Sequence, residues 1–235
     1  MSNQYGIDIK TLDKFIAQPV FEKYNWGEHA VLFNEPAFRL EIVRIVAGAS
    51  VDMEGDANFE VTVWIEEGKG NIAGAELTAF ELITLPSGQK WSIIAQEPIT
   101  AYLFYGPPSA GSDYGKKAKP FDYREKYWGN IQSIISKEYA GKRMLVKKGT
   151  NASLEFHCQK TEGYYIHSGN LLLRLRAGRG EDKFFELKKG TTSFTPPGLM
   201  HQRGGLEDTV IIEISTKDDD GDSFLVEDGK GRPMP

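Results

Sequence analysis

The sequence contains a single cysteine, Cys158, among its 235 residues. One cysteine cannot form a disulfide within the chain, and such usage is typical of a reducing compartment. No apolar run approaches the roughly 20 residues that a membrane-spanning helix needs. Residues 1–8 lack the basic and then apolar stretches of a signal peptide. The net charge of −5 argues against nucleic acid as the main ligand. We therefore expect a cytoplasmic protein that binds neither membranes nor nucleic acid.

Helical patterns are also scarce. One short amphipathic helix is predicted after Asp8, where Leu12 and Phe15 recur at helical spacing until Pro19 ends it. The rest of the chain consists of short runs rich in Val, Ile, Leu, Phe and Tyr that close on Gly, Pro or Asp. This succession of short strands predicts an all-β fold, a sandwich or a barrel. The length suits one large β domain or two small ones.

A repeat relates the two halves of the chain. Four landmarks recur in the same order, the first three at offsets of 101 or 102 residues and the last at 110: Trp26-Gly27 with Trp128-Gly129, Gly48 with Gly149, Gly68 with Gly169, and Pro86-x-Gly88 with Pro196-x-Gly198. Glycines at such places permit turns that a side chain would obstruct. The polar composition of residues 109–122, between the copies, predicts a linker. The predicted domains are therefore 1–108 and 123–235, joined by the linker 109–122.

The second copy carries two histidine motifs. They are Gly149-x7-His157-x-Gln159-x2-Glu162-x6-Gly169 and Gly190-x5-Pro196-x-Gly198-x2-His201. Residues two apart in a strand share a face, so His157 and Gln159 are expected to point the same way. Glu162 and His201 could complete a cluster with them. Such nitrogen and oxygen donors suit Zn, Mn, Fe, Ni or Co as divalent ions. The alternative is that both histidines are simply buried and hydrogen-bonded.

These motifs resemble those of the cupins, whose first motif has the core H-x-H, then Glu, then Gly. The second cupin motif, G-x5-P-x-G-x2-H, is matched at every fixed position through His201. In the first motif Gln159 stands where the second His is usual. The resemblance implies two tandem cupin-type jelly-roll β-barrels behind a short N-terminal helix. It also implies a divalent metal ion in the second barrel, held by His157, Gln159, Glu162 and His201.

The first copy lacks these ligands. The same offsets place Asp56, Val61 and Trp91 at the positions of His157, Glu162 and His201. We therefore predict that the N-terminal barrel is a degenerate copy without a transition metal. It either has a structural role or binds something apolar through Trp64 and Trp91.

A narrower resemblance covers about 123–232. The stretches that carry it are Tyr127-Trp128-Gly129, Ser153-Leu154-Glu155-Phe156-His157 and the run LVEDGKGR at 225–232. They are similar to the cupin domain of type II mannose-6-phosphate isomerases. This implies metal-dependent isomerisation or epimerisation of a sugar or sugar phosphate. Glu213, in an otherwise apolar strand, is the candidate for moving the proton. Arg174, Arg203 and Arg232 are candidates for binding the substrate, with surface salt bridges as the alternative.

Two other functions stay open at this point. The first is a non-catalytic carbohydrate-binding or sensing cupin, which Gln159 and the degenerate first copy favour. The second is a cupin dioxygenase. The partner is expected to be a small molecule, a sugar or sugar phosphate. The apolar outer faces of the strands predict a homodimer.

Overall fold

The computed structural model describes residues 7–232, so residues 1–6, on which the signal-peptide argument rested, lie outside it. The predicted N-terminal helix is confirmed as a 3-10 helix, Ile9–Phe15. The Asp8 carboxylate caps it by accepting a hydrogen bond from the Lys10 backbone N–H at 2.9 Å. Leu12 and Phe15 are buried. A two-residue strand, β1 (Ile16–Ala17), follows directly.

The first repeat forms two antiparallel sheets. Its strands are β2 Glu22–Tyr24, β3 Gly27–Glu35, β4 Phe38–Ile45, β5 Ser50–Met53, β6 Glu60–Glu67, β7 Lys69–Ile72, β8 Ala75–Thr78, β9 Leu82–Leu85, β10 Trp91–Ala95, β11 Ile99–Gly106 and β12 Lys117–Ala118. One sheet has the order β12-β9-β6-β11-β4-β3-β2, and the other has the order β5-β10-β7-β8. The all-β prediction is therefore confirmed, with sheets that pack face to face around an apolar core.

The second repeat reproduces this arrangement. Its strands are β13 Phe121–Lys126, β14 Gly129–Ser136, β15 Tyr139–Val146, β16 Leu154–His157, β17 Glu162–Ser168, β18 Asn170–Ala177, β19 Lys183–Lys188, β20 Thr192–Thr195, β21 Leu199–Gly205, β22 Thr209–Thr216 and β23 Ser223–Glu227. A second 3-10 helix, Asp220–Asp222, precedes β23. The sheet orders are β1-β20-β17-β22-β15-β14-β13 and β19-β18-β21-β16-β23. Strands β2–β11 thus correspond in order to β13–β22, which is the duplication seen in the sequence.

The Trp-Gly pairs of the repeat have a steric cause. Gly27 and Gly129 both begin a strand with positive φ, at 143° and 151°. A Cβ on Gly27 would lie 1.9 Å from the carbonyl oxygen of Arg44, and one on Gly129 would lie 1.7 Å from that of Leu145. Only glycine fits where two backbones approach so closely.

The chain divides into two compact units. The first unit holds residues 19–121 and 133–141, and the second unit holds 7–18, 122–132 and 142–232. The sequence did not indicate that residues 7–18 belong to the second unit or that residues 133–141 belong to the first. The physical reason is packing: Phe15 joins the core of the second unit, whereas the Tyr139 hydroxyl contacts Glu60 in the first at 3.4 Å. The boundaries 1–108, 109–122 and 123–235 stay a prediction.

The interior of the first unit is apolar at the positions that correspond to the predicted ligands. Val61 and Trp91, the counterparts of Glu162 and His201, are buried in one cluster with Ile93 and Leu103. Asp56 is instead paired with Arg39 at 2.8 Å. The first unit therefore has side chains that stabilise a core by burial at places where the second has ionisable groups. Separately, among residues 7–232 the structure has no helix long and apolar enough to span a membrane.

Candidate metal centre

The second unit contains a cavity of about 240 Å³ with a largely charged lining. Strands β15, β16, β17, β21 and β22 supply its inner wall, and residues that precede β23 supply part of its mouth. The side chains that matter below are Lys142, Glu155, His157, Lys160, Glu162, Arg203, Glu213 and Asp218. An interior this rich in charge is uncommon, because buried ions require partners.

His157, which lines this cavity, and the fully buried His201 are held in the same way. The Nδ1–H of His157 donates to the carbonyl oxygen of Asp222 at 2.9 Å, and that of His201 donates to the carbonyl oxygen of Leu199 at 3.2 Å. A carbonyl can only accept, so in the neutral form of each ring the lone pair is on Nε2. The Nε2 atoms lie 3.4 and 3.2 Å from the two oxygens of Glu162. Fixing Nδ1 so that Nε2 is free is how proteins orient metal-binding histidines.

Glu155 completes this cluster. It lies two residues before His157 on β16, and it pairs directly with His201 across the strands, so all three side chains share one face. One donor atom from each of the three lies within 4.8 Å of the others. Glu155 was not among the residues predicted from the sequence, although the period-two spacing that links His157 to Gln159 also links His157 to Glu155.

Gln159 is not brought into the cluster, and the predicted ligand set is corrected accordingly. Strand β16 ends at His157, so the alternation of faces does not extend to Gln159. Its side chain is exposed, and its backbone N–H donates to the Asp222 carboxylate at 3.0 Å. The two residues of β16 that belong to the cluster are therefore Glu155 and His157.

Glu162 lies between the two histidines and is fully surrounded by donors. Lys160 Nζ is 2.6 Å from Oε1, and the Tyr164 hydroxyl donates to Oε2 at 2.6 Å. Burial by itself would raise the pKa of Glu162, but the Lys160 charge and the two histidines hold that pKa well below its usual value. Glu162 is therefore an ionised carboxylate at the centre of the site, and its role as a metal ligand stays a prediction.

The donors present fit a divalent metal ion. Among residues 7–232, the buried Nε2 of His201 makes no hydrogen bond of good geometry, although a Glu162 oxygen lies 3.2 Å away. Such an atom is costly unless something else is bound there. Two imidazole nitrogens and one carboxylate form a donor set used for first-row divalent metals, and they leave positions open for a substrate. The structure thus supports the predicted divalent metal ion, with Glu155, His157 and His201 as the residues that could hold it.

Glu213 lies in the same cavity. It is opposite Tyr164 in the β17–β22 pair, so its side chain points to the same face as Glu162 and is 2% exposed. Lys142 Nζ is 3.4 Å from its Oε1, and this oxygen makes no hydrogen bond within the described residues 7–232. The sequence left open whether Glu213 faces solvent, and the structure places it inside.

The three candidate arginines have different surroundings. Arg203 lines the cavity, where it donates to Glu155 at 2.6 Å and to the Tyr164 hydroxyl at 2.9 Å. Arg174 is outside the cavity lining and is bound to Asp182 and Glu227 at 2.6 and 2.9 Å. Arg232 is exposed and 3.5 Å from Glu227. Of the three, the structure brings only Arg203 to the site. Arg174 and Arg232 form salt bridges away from it, which was the alternative expected from the sequence.

A segment after β22 covers one side of the site. We call residues 217–227 the strap. Within it, the Asp222 carboxylate accepts three successive backbone N–H groups, those of Cys158, Gln159 and Lys160, at 2.9, 3.0 and 2.9 Å. The carbonyl of the same residue accepts the Nδ1–H of His157. Asp222 thus fixes both the ring of His157 and the loop that follows it.

These sheets and their repeated order define the chain as having the bicupin fold. Solved structures of oxalate decarboxylase are similar to it. One, on substrate binding and a reaction specificity switch, has a TM-score of 0.73 and 13% identity over 90% of this chain and 79% of that chain. A second, on the Mn(II) centres of the Bacillus subtilis enzyme, has the same values. A third, on proton-coupled electron transfer, has a TM-score of 0.72 and 13% identity over 87% and 77%.

At 13% identity this likeness establishes the fold. No protein-family model matches the sequence, and no curated protein matches it. The fold likeness agrees with the cupin-type fold expected from the sequence, whereas the narrower resemblance to mannose-6-phosphate isomerases stays a prediction. The homodimer and the cytoplasmic location also stay predictions.

Proposed function

We propose that the second unit is a metal-dependent enzyme that isomerises a small polyoxygenated substrate, a sugar or sugar phosphate. The observation that carries this proposal is that one cavity is lined by two of the three residues of a metal-type donor cluster and by a separate buried carboxylate. Glu155, His157 and His201 form the cluster, and Glu213 is the carboxylate. Aldose–ketose conversion needs these two things, because a proton moves between neighbouring carbons while negative charge develops on their oxygens.

Each group has a defined role in this proposal. A divalent ion, when bound by the cluster, would offset the negative charge on the substrate oxygens. Glu213 Oε1, which makes no hydrogen bond within residues 7–232, takes the proton from one carbon and returns it to the next. Lys142, 3.4 Å away, positions the Glu213 carboxylate. The strap limits the access of water to the cavity.

The size of the cavity is consistent with such a substrate. A volume of about 240 Å³ corresponds to roughly eight water molecules at about 30 Å³ each. This volume is similar to that of a monosaccharide and is larger than the volume of a two-carbon acid.

A second candidate is oxygen chemistry, because two histidines and one carboxylate form the donor set of Fe(II) oxygenases. The fold likeness to oxalate decarboxylase makes oxalate a further compound to test. Pure sugar binding without turnover is the remaining alternative.

The test is turnover of mannose, fructose and glucose 6-phosphates and the free sugars by protein loaded with Mn(II), Zn(II) or Fe(II). Oxalate consumption and oxygen uptake are measured in parallel. We expect Glu213→Gln to lower isomerisation at least a hundredfold, the scale of a lost general base, with metal content unchanged. Glu186→Gln, at an exposed position, is the matched control. Metal-loaded protein that binds sugars without converting them would reject the enzyme, and uptake of oxygen would favour the second candidate.

A further inference from the structure

Five side chains in the cavity form a line of alternating charges. Lys160 Nζ lies between Glu162 Oε1 at 2.6 Å and Asp218 Oδ1 at 3.1 Å. Lys142 Nζ lies between the same Asp218 oxygen at 2.8 Å and Glu213 Oε1 at 3.4 Å. Both lysines are buried, with 7% of each side chain exposed. Two ammonium groups therefore converge on one oxygen atom, and that oxygen belongs to Asp218.

Asp218 differs from the other two carboxylates of this line. Glu162 and Glu213 lie within strands β17 and β22 in the middle of a sheet and are each 2% exposed. Asp218 belongs to the strap, between the end of β22 and the 3-10 helix, in residues with no regular structure. It is 16% exposed and lies at the mouth of the cavity. It is the member of the line that another anion could replace with the least disturbance of the sheets.

The charge of the loaded site favours an anion. The inner cavity has three cationic side chains and four carboxylates: Lys142, Lys160 and Arg203 against Glu155, Glu162, Glu213 and Asp218. At the mouth, two cations face two further carboxylates: Arg124 and Lys126 with Asp219 and Asp220. A divalent ion in the donor cluster changes the sum from negative to positive. A substrate that carries negative charge would restore neutrality in a site of low dielectric constant.

We propose that Lys142 and Lys160 form an oxyanion subsite that takes the carboxylate or phosphate group of the substrate in place of the Asp218 carboxylate. The inference rests on the proposed function and narrows its substrate class to anionic sugars. In this state the substrate accepts the hydrogen bonds that Asp218 accepts in the free protein, and Glu162 and Glu213 keep their lysine partners. In the free protein, the Asp218 carboxylate of the strap therefore occupies the position that the substrate anion takes on binding.

The test is calorimetric titration of the full-length, Zn-loaded protein with inorganic phosphate. Asp218→Asn removes the competing charge, so we expect phosphate to bind at least fivefold more tightly. Lys142→Met and Lys160→Met each remove one charge-assisted donor, so we expect binding to weaken about tenfold or more. Lys188→Met, at an exposed position, is the control and should leave binding unchanged. Glucose 6-phosphate, gluconate and glucose then distinguish a phosphate from a carboxylate ligand and both from a neutral sugar.

The outcomes separate this inference from the proposed function. Phosphate that binds equally to the wild type and both lysine variants would be held elsewhere, on the metal for instance, and would overturn the subsite. An unchanged or weaker affinity in Asp218→Asn would overturn it as well, and this variant decides the matter if the lysine variants do not fold. Metal content is measured in every sample. If the phosphate affinities contradict the expectation while each chain still holds one metal ion, the subsite alone is rejected. If the wild-type protein takes up no metal, the proposed function is rejected.

Discussion

Replacement of Asp222 should weaken metal binding although the residue is not a ligand. Its carboxylate accepts three backbone N–H groups from residues 158–160, and its carbonyl holds Nδ1 of His157. In Asp222→Ala the three N–H groups lose their acceptor and the 3-10 helix loses its tie to the loop. The His157 ring then loses its fixed orientation. Loss of an outer partner of this kind typically costs 10–100-fold in metal affinity.

The cost in stability can be worked from the same contacts. Hydrogen bonds to a charged group contribute about 1.5–3 kcal/mol each, so three would give about 4.5 kcal/mol at the low end. The freed N–H groups lie in a loop and regain some hydration, so we expect Asp222→Ala to lower the free energy of unfolding by about 2–3 kcal/mol. Asp222→Asn keeps one acceptor oxygen and the shape of the side chain, and it should lose about half as much.

The assays are Zn(II) titration against a chelating dye and urea unfolding of the metal-free protein. Burial opposes ionisation of Asp222, but the N–H groups of Lys160, Gln159 and Cys158 lower its pKa below the usual value. The stability it confers is therefore present above about pH 4 and lost as the pH falls through the lowered pKa. The difference between wild type and Asp222→Asn should shrink in that range. Metal affinity within twofold of wild type in Asp222→Ala would refute the reasoning.

Three further predictions concern separate parts of the molecule. A His157→Ala, His201→Ala double variant should fall from about one metal ion per chain to background in elemental analysis, and retained metal would place the site elsewhere. The pKa of Asp182 is lowered to about 2, because Arg176 and Arg174 outweigh its burial. Asp182→Asn should therefore cost about 1–2 kcal/mol at pH 7, allowing for screening, and almost nothing near pH 2 in urea unfolding. Trp91→Ala should cost about 3–5 kcal/mol in the first unit, and unchanged stability would contradict its place in the core.

The sequence predicted the fold well, because the fold depends on local signals that repeat. Turn glycines and short β-rich runs in the same order were enough to reveal two copies of one unit. The repeat also predicted which copy has ionisable groups inside, since Val61 and Trp91 replace Glu162 and His201. By contrast, the placement of residues 7–18 in the second unit depends on packing of Leu12 and Phe15 in a distant core. No local pattern contains that information.

The site was predicted in part for the same reason. Motif spacing singled out His157, Glu162 and His201, of which His157 and His201 belong to the donor cluster, and Glu155 was within reach of the same strand rule. Gln159 was misplaced because the rule was extended past the end of β16. Arg174 could not be separated from Arg203 by sequence, since what distinguishes them is the set of carboxylates that folding brings to each. Asp222 was missed because its partners are 62 to 65 residues away in the chain.

That separation along the chain has a kinetic consequence. Contacts between residues so far apart in sequence carry a large loop-closure entropy and tend to form late in folding. The hairpins of the second unit can pair before the strap arrives, but the orientation of His157 depends on the strap. Uptake of metal during refolding should therefore lag behind the recovery of β-structure. The time course of metal uptake would then report the final step of folding.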